Sequence, residues 1–291
     1  MNSNKILICM SSLLRNFEVC SESFIKRIVN KLPCRPDFIG SFPRDCETID
    51  NIKQLKKLSR VVNIRKVVFE NDPKISSSLR YNNINNNQRH GSVGNYLQWY
   101  SMQRCLKYKN QLEKKVGEYD LVIWCRPDLF YFNDLDDVKK LSDAFWLVGH
   151  DNHLCGLNDR FCLGNSYQVG MRMNILEYFE NEWYKKYSND ETILFKGENK
   201  DPQWNPEIVL KCYLKDYLNF NTQKLNLCFG KMRTENLATI PYYFSKHGND
   251  YTGYNCVEDK YVSEINEKIN NLSLEYKPNC KWGLVNIKSI I

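Results

Sequence analysis

A continuous apolar run near the middle of the chain sets the strongest limit on the fold. Residues 119–125 read YDLVIWC, and Arg126-Pro127-Asp128 follows them. Such a run is typical of a strand that is buried on both faces of a sheet. Proline cannot donate to a central ladder, so Arg126 and Asp128 are predicted to lie at the carboxyl end of this strand. In open α/β sheets, that edge is where ligands bind.

Apolar runs alternate with amphipathic stretches along the rest of the chain. Strands are predicted over 5–10, 36–42, 65–70, 144–149, 160–164, 224–229 and 236–240, and helices over 18–31, 48–58, 93–116, 166–183 and 206–218. The 93–116 helix is predicted to present Leu97, Cys105, Tyr108, Leu112 and Val116 on one face, and Ser166 to cap the helix that follows it. This alternation favours an α/β fold with a mainly parallel central sheet flanked by helices. We expect one domain over 1–291, with a flexible loop at about 71–92 and a poorly patterned segment at 250–291.

Composition excludes several classes of protein. The net charge of +7 suits an acidic ligand, but the bases are scattered, so we expect no nucleic-acid partner. The 12 cysteines form no C-x-x-C pair and are expected to be reduced and mostly buried. No window is apolar enough for a transmembrane segment and the start of the chain is not typical of a signal peptide, so we expect a cytoplasmic protein.

Common catalytic motifs are missing from the sequence. The chain has no G-x-G-x-x-G after its first strand, no G-x-x-x-x-G-K-[ST], no G-x-S-x-G and no H-E-x-x-H. These absences argue against dinucleotide oxidoreductases, P-loop enzymes, α/β-hydrolases and the common zinc hydrolases.

Four segments in order carry a resemblance to a known family. They are a first strand ending in Ser11-Ser12 with Arg15-Asn16-Phe17 after it, the block Tyr119–Asp128, a segment with Asp159, Phe161 and Gly164, and Pro206-Glu207 at a helix start. Over residues 5–218 the chain resembles a family of glycosyltransferases found in large DNA viruses and in bacterial surface-polysaccharide clusters. The resemblance implies a GT-A fold, and in a viral setting a location in the host cytoplasm or a virus factory.

The resemblance also implies how the donor diphosphate is held. GT-A enzymes usually hold it through a metal bound by an Asp-x-Asp at the end of a mid-chain strand, and here Arg126 stands where the first Asp would be. Asp128 alone can anchor Mn²⁺ or Mg²⁺. Alternatively, Arg126 neutralises the diphosphate directly and no metal is needed. A third interpretation is an Arg126–Asp128 pair on the surface at the strand end.

Other residues are secondary candidates for the donor site. Asp134 and Asp136 form a literal Asp-x-Asp and are the second choice for a metal, although a helix N-terminus explains them better. The family pattern places Ser11 and Arg15 beside the nucleotide-sugar diphosphate. Arg15 can instead be a solvated side chain in the first turn of a helix.

Catalysis by inversion requires a carboxylate that takes the proton of the acceptor hydroxyl. Asp159 and Glu207 are the candidates, although Glu207 also fits an ordinary helix start after Asn205-Pro206.

Histidines form a further group of candidates. Three interpretations are open for His150 and His153: they line the donor or acceptor cleft, they lie in a loop without a role, or they bind zinc with Cys155 and Cys162. His247 either reaches a metal or diphosphate or is a surface residue.

Together these features predict a glycosyltransferase that moves a sugar from a nucleotide-sugar donor to a hydroxyl of a glycan or glycoprotein acceptor. The alternatives are a non-catalytic glycan- or nucleotide-binding module on the same fold and a basic nucleic-acid-binding protein. Donor sugar, acceptor and stereochemical outcome have no signature in the sequence.

Overall fold

The described part of the chain builds one large sheet with helices on both faces. The structure, a computed structural model, describes residues 5–74, 90–138, 144–148, 157–187, 206–227 and 229–231. Seven strands form a mixed, mostly parallel sheet within these residues. The predicted α/β class is therefore confirmed.

The elements have the following bounds. The strands of the large sheet are β1 (Ile6–Ser11), β2 (Asp37–Pro43), β3 (Asn63–Glu70), β4 (Leu121–Cys125), β6 (Phe145–Val148), β7 (Phe161–Gly164) and β8 (Thr222–Leu225). A small antiparallel sheet pairs β5 (Leu129–Tyr131) with β9 (Phe229–Lys231). The helices are α1 (Phe17–Arg27), α2 (Ile49–Leu58), α3 (His90–Val116), α4 (Ser166–Met173), α5 (Ile175–Tyr178), α6 (Tyr184–Tyr187) and α7 (Pro206–Lys211). Single 3₁₀ turns lie at Val29–Lys31 and Arg44–Cys46, and π-helical segments at Phe179–Trp183 and Cys212–Tyr217.

Several predicted boundaries are wrong. Asn165, not Ser166, caps α4, because its side chain accepts from the backbone of Gln168 while the Gln168 side chain accepts from the Asn165 backbone. The helix predicted over 206–218 is α-helical only to Lys211 and π-helical beyond it. The predicted strand 224–229 is split between β8 and β9, which belong to different sheets.

Most of the segments predicted to be flexible or poorly patterned lie outside the described residues. Residues 71–74 are irregular and 90–92 already belong to α3, so the predicted loop 71–92 is too long at its C-terminal end. The remainder of that loop, residues 75–89, lies outside the described residues, as do segments 236–240 and 250–291.

The strand order places β1 and β4 side by side at the centre. The order is β3-β2-β1-β4-β7-β6-β8, and β7 alone among these strands runs antiparallel to its neighbours. The chain moves outward from β1 through β2 to β3 and then crosses back to β4 on the other side of β1. This reversal creates a topological switch point between β1 and β4.

Alternate side chains of the central strands supply two separate cores. Ile8 of β1 and Ile123 of β4 pack with α1 and α2, whereas Cys9 and Trp124 pack with α3 and the helices that follow β7. Successive residues of a strand face opposite sides of the sheet, so a strand covered on both faces is apolar throughout. The run at 119–125 is continuous for this reason. Among the described residues, no helix has the length and apolarity that a bilayer crossing requires.

Candidate functional site at the carboxyl edge of the sheet

The carboxyl ends of β1 and β4 meet at the switch point. Met10 of β1 lies beside Cys125 of β4, and the next residues along each strand are Ser11 and Arg126. Because β7 is antiparallel, it begins at the edge where β4 ends, with Cys125 opposite Phe161. The segments before β7 and after β4 therefore meet at this edge. Arg126 and Asp128 follow the end of β4 there, as predicted.

Arg126 and Asp128 form a bidentate ion pair. Nε of Arg126 donates to Oδ1 of Asp128 at 2.9 Å, and Nη2 donates to Oδ2 at 2.6 Å. The Asp128 side chain is 0% exposed and that of Arg126 is 9% exposed, so the interpretation as a surface pair is wrong. Burial lowers the pKa of Arg126, but the charge and hydrogen bonds of Asp128 outweigh burial and the net pKa shift is upward. The guanidinium therefore stays charged inside the protein.

Gln98 of α3 connects this pair to Asp159. Its Oε1 accepts from Nη1 of Arg126 at 2.5 Å, and its Nε2 donates to Oδ2 of Asp159 at 3.2 Å. Arg172 of α4 donates to the backbone oxygen of Asp159 at 3.1 Å and lies over the ring of Trp124. The sequence prediction missed both Gln98 and Arg172, because each falls on a helix whose polar side chains have no local mark of burial.

Arg160 extends the network to the second predicted carboxylate. Its Nη2 lies 3.1 Å from Oε1 of Glu207, and its Nε lies 3.6 Å from Oδ1 of Asp159. Glu207 sits in the first turn of α7, as expected, yet it is buried rather than solvated. The structure therefore brings Asp128, Asp159 and Glu207 into one network with Arg126, Arg160 and Arg172, which we call the edge network. Three positive and three negative groups balance, and such balance stabilises charges away from water.

Ser11 and Arg15 lie on the β1 side of the same edge. The hydroxyl of Ser11 is fully buried and accepts from the indole Nε1 of Trp124 at 3.0 Å, which is a packing role. Arg15 is half-buried in the turn before α1, where Ser12 and Asn16 both have positive φ angles of 115° and 47°. This turn directs the chain sharply away from β1 at the switch point.

Two buried polar atoms beside this turn lack hydrogen-bond partners among the described residues. They are Nδ2 of Asn16 and Oγ of Ser41, and Ser41 lies opposite Ser11 at the end of β2. Buried polar atoms are nearly always satisfied by protein, water or ligand. Both atoms lie at the carboxyl edge and are shielded from solvent.

Asp134 and Asp136 do not join the edge network. Asp134 accepts from Arg27 at 2.9 Å and from Lys31 at 2.7 Å. Burial raises the pKa of Asp134, but these two cations outweigh burial and lower the pKa below its usual range. Asp136 is exposed. Asp134 therefore pairs with cations of α1 and of the 3₁₀ turn after it rather than with the edge network, and its second-choice role as a metal ligand stays a prediction.

The described residues contain no group of three or more His, Cys, Asp or Glu side chains arranged to hold a metal ion. At the first-choice position both oxygens of Asp128 accept from Arg126, so a divalent cation there would share the carboxylate with a buried guanidinium, and the metal role of Asp128 stays a prediction. For the zinc alternative, Cys162 is fully buried in β7, where burial raises its pKa to about 12 and keeps the thiol protonated. His150, His153, Cys155 and His247 lie outside the described residues.

The protein is therefore of the open α/β class. Its mostly parallel sheet has a buried network of arginines and carboxylates at the switch point. The chain belongs to a family described as a domain of unknown function (DUF7796), whose model matches residues 1–197. The matched region runs from β1 through α6 and includes every member of the edge network except Glu207. No curated protein matches the chain.

Proposed function

We propose that this protein is a glycosyltransferase that moves a sugar from a nucleotide-sugar donor to a hydroxyl of a glycan or glycoprotein. The observation that carries the proposal is the position of the edge network. It lies at the carboxyl ends of β1 and β4, where an open α/β sheet reverses its strand order and forms a crevice for ligands. The GT-A fold that the sequence resemblance implies is an α/β fold of this general kind.

Arg126 is the group proposed to bind the donor diphosphate. A guanidinium has five N–H donors, and the contacts with Asp128 and Gln98 use three of them. Arg126 can therefore keep Asp128 and still donate to a diphosphate oxygen. Asp128 then acts as a positioning residue that holds the guanidinium in one orientation, and no step is assigned to a metal.

Arg15 is proposed to donate to the same diphosphate from the β1 side. It follows the turn at Ser12 on the β1 side of the carboxyl edge and is half-buried, and it does not belong to the edge network. A leaving diphosphate gains negative charge in the transition state, and donors aimed at that charge stabilise it.

Asp159 is the better supported of the two candidate bases for an inverting reaction. It is joined to Arg126 through one side chain, Gln98, whereas Glu207 pairs with Arg160, whose Nε lies 3.6 Å from Asp159. This connection to Arg126 supports Asp159 as the base. Glu207 is assigned the role of holding Arg160.

A donor screen tests the proposal. The full chain is heated with UDP-, GDP-, dTDP- and CMP-sugars, with and without Mn²⁺, and released nucleotide is measured in parallel. A donor at about 100 times its Kd adds about 2.7 kcal/mol, which raises Tm by roughly 5–10 °C. A shift with one nucleotide class together with nucleotide release supports the proposal. A shift without release identifies a non-catalytic binding module, and no shift with any donor rejects donor binding.

Arg15→Ala separates function from folding. Because the side chain is half-buried and outside the edge network, we expect Tm to change little while kcat/KM falls about 10- to 100-fold, the value of a hydrogen bond to a charged group. Arg60→Ala is the matched control, since Arg60 is exposed at the opposite edge of the sheet. Equal activity of the two variants would remove Arg15 from the donor site.

A further inference from the structure

A cavity with charged side chains in its lining lies at the opposite, amino-terminal edge of the sheet. Its volume is about 270 Å³, and its lining includes Lys5, Arg35 and Arg65 together with Asp37 and Tyr119. These residues precede or begin β1, β2, β3 and β4, so the cavity is separated from the carboxyl edge by the length of the strands. None of them belongs to the edge network.

The cations at this cavity are held in place by backbone oxygens. Nζ of Lys5 donates to the oxygen of Val116 at 2.6 Å, at the C-terminus of α3. Nη2 of Arg35 donates to the oxygens of Ser59 and Val62 at 2.6 and 3.0 Å. Neutral backbone partners orient these side chains without cancelling their charge.

Asp37, the one carboxylate among the lining residues, accepts hydrogen bonds from two other lining residues. Oδ1 of Asp37 accepts from Nε of Arg65 at 2.9 Å, and Oδ2 accepts from the hydroxyl of Tyr119. Burial and the adjacent Asp37 raise the pKa of Tyr119, so the phenol remains a neutral donor. Three cations against one carboxylate leave the lining residues with a net charge of +2, and Asp120, which accepts from the backbone N–H of Lys5 at 2.7 Å beside the cavity, reduces the local net charge to +1.

Donor capacity remains on all three cations. Their contacts with the residues just described use one of the three ammonium N–H groups of Lys5, two of the five N–H groups of Arg35 and one of the five of Arg65. A phosphomonoester carries a charge of about −1.5 to −2 at pH 7 and three acceptor oxygens. Its three oxygens match the three cationic side chains one for one, whereas a carboxylate has only two oxygens.

We propose that this amino-edge cavity binds a small organic phosphomonoester. The phosphate contacts Lys5, Arg35 and Arg65, and the organic part rests on the apolar wall formed by Ile6 and Val116. The volume lies just below the range of pockets for drug-sized ligands, so the ligand is small. This site is independent of the proposed transferase reaction.

The test is a calorimetric titration of the full chain with phenyl phosphate at low salt. Lys5→Gln/Arg35→Gln is the test variant, because both side chains are exposed and the substitutions should leave the fold intact. We expect saturable binding to the wild type that weakens at least about tenfold in this variant. Lys185→Gln/Lys215→Gln removes two other exposed cations and should retain wild-type affinity.

Two further titrations distinguish an organic phosphate from inorganic phosphate, and this cavity from the proposed donor site. Inorganic phosphate should bind more weakly than phenyl phosphate, because it cannot use the apolar wall. Arg15→Ala should bind phenyl phosphate normally, so a failed donor screen leaves this result unaffected.

Three results would overturn the proposal. They are no saturable binding to the wild type, equal weakening by the two double variants, and displacement of phenyl phosphate by a short oligonucleotide with a steep salt dependence, which would indicate a nucleic-acid surface instead.

Discussion

Asp128→Asn tests whether the buried ion pair stabilises the carboxyl edge. The substitution keeps the shape of the side chain but removes its charge, and it places an amide N–H₂ where one carboxylate oxygen accepts from Arg126. Since the Asp128 side chain is 0% exposed, water cannot reach the side of Arg126 that Asp128 covers and cannot replace the lost partner there. Removing one member of a buried pair leaves an uncompensated charge, and we expect the free energy of unfolding to fall by about 3–5 kcal/mol.

Urea unfolding followed by both far-UV circular dichroism and tryptophan fluorescence measures this loss. Asp50→Asn is the matched control, because Asp50 pairs with Lys53 at 3.3 Å while its side chain is 86% exposed. Exposed pairs of this kind contribute about 1 kcal/mol or less. If Asp128→Asn costs no more than Asp50→Asn, the argument that burial makes the Arg126–Asp128 pair indispensable is wrong.

A double variant distinguishes loss of charge balance from general damage to packing. Arg126→Met/Asp128→Leu removes both charges and keeps much of the buried volume. Replacing a buried pair by apolar side chains is often neutral or stabilising, so this variant should lose less stability than the sum of Arg126→Met and Asp128→Leu. A strictly additive result would show that the two charges do not compensate each other.

Three further predictions concern packing, acid stability and thiol reactivity. Gly40→Ala should cost about 1–3 kcal/mol in urea unfolding, because the new Cβ would lie 2.6 Å from the ring of Phe42, and an unchanged urea midpoint would contradict this packing. Burial raises the pKa of Asp134, but its ion pairs lower the pKa overall below the ordinary value of 3.8. The ionised carboxylate therefore stabilises the fold above pH 3.8, and this stabilisation is lost as pH falls below that value. The Asp134→Asn variant should accordingly lose less stability than the wild type between about pH 7 and pH 3. N-ethylmaleimide at pH 8 should label the half-buried Cys34 in the native protein and Cys125 only on unfolding, since burial raises the pKa of the Cys125 thiol more strongly; peptide mapping that finds equal labelling rates would refute this order.

Strands β1 and β4 show how much of the fold is predictable from local pattern. Both are continuous apolar runs, and each prediction lies within two residues of the observed bounds. Pro127 correctly marks the end of β4. A strand that is buried on both faces needs an apolar side chain at nearly every position. Its sequence therefore predicts the strand without any knowledge of the neighbouring strands.

Helix α3 shows where local pattern fails. The predicted apolar face includes Leu97, which is only half-buried, and Val116, which is 38% exposed. Gln98 and Arg104 are buried instead. Polar side chains become buried when partners arrive from other segments, and helical periodicity contains no information about those partners.

The candidate site divides in the same way. Arg126 and Asp128 could be placed at the end of a strand because proline and apolar runs act locally. Their burial, and the connection through Gln98 to Asp159, depend on side chains that are 61 residues apart along the chain. Hydrophobic pattern and turn chemistry therefore determined the α/β class and the edge at which the charged residues lie. The strand order alone decided which charges meet, because a buried charge is stable only beside a partner that the fold brings to it.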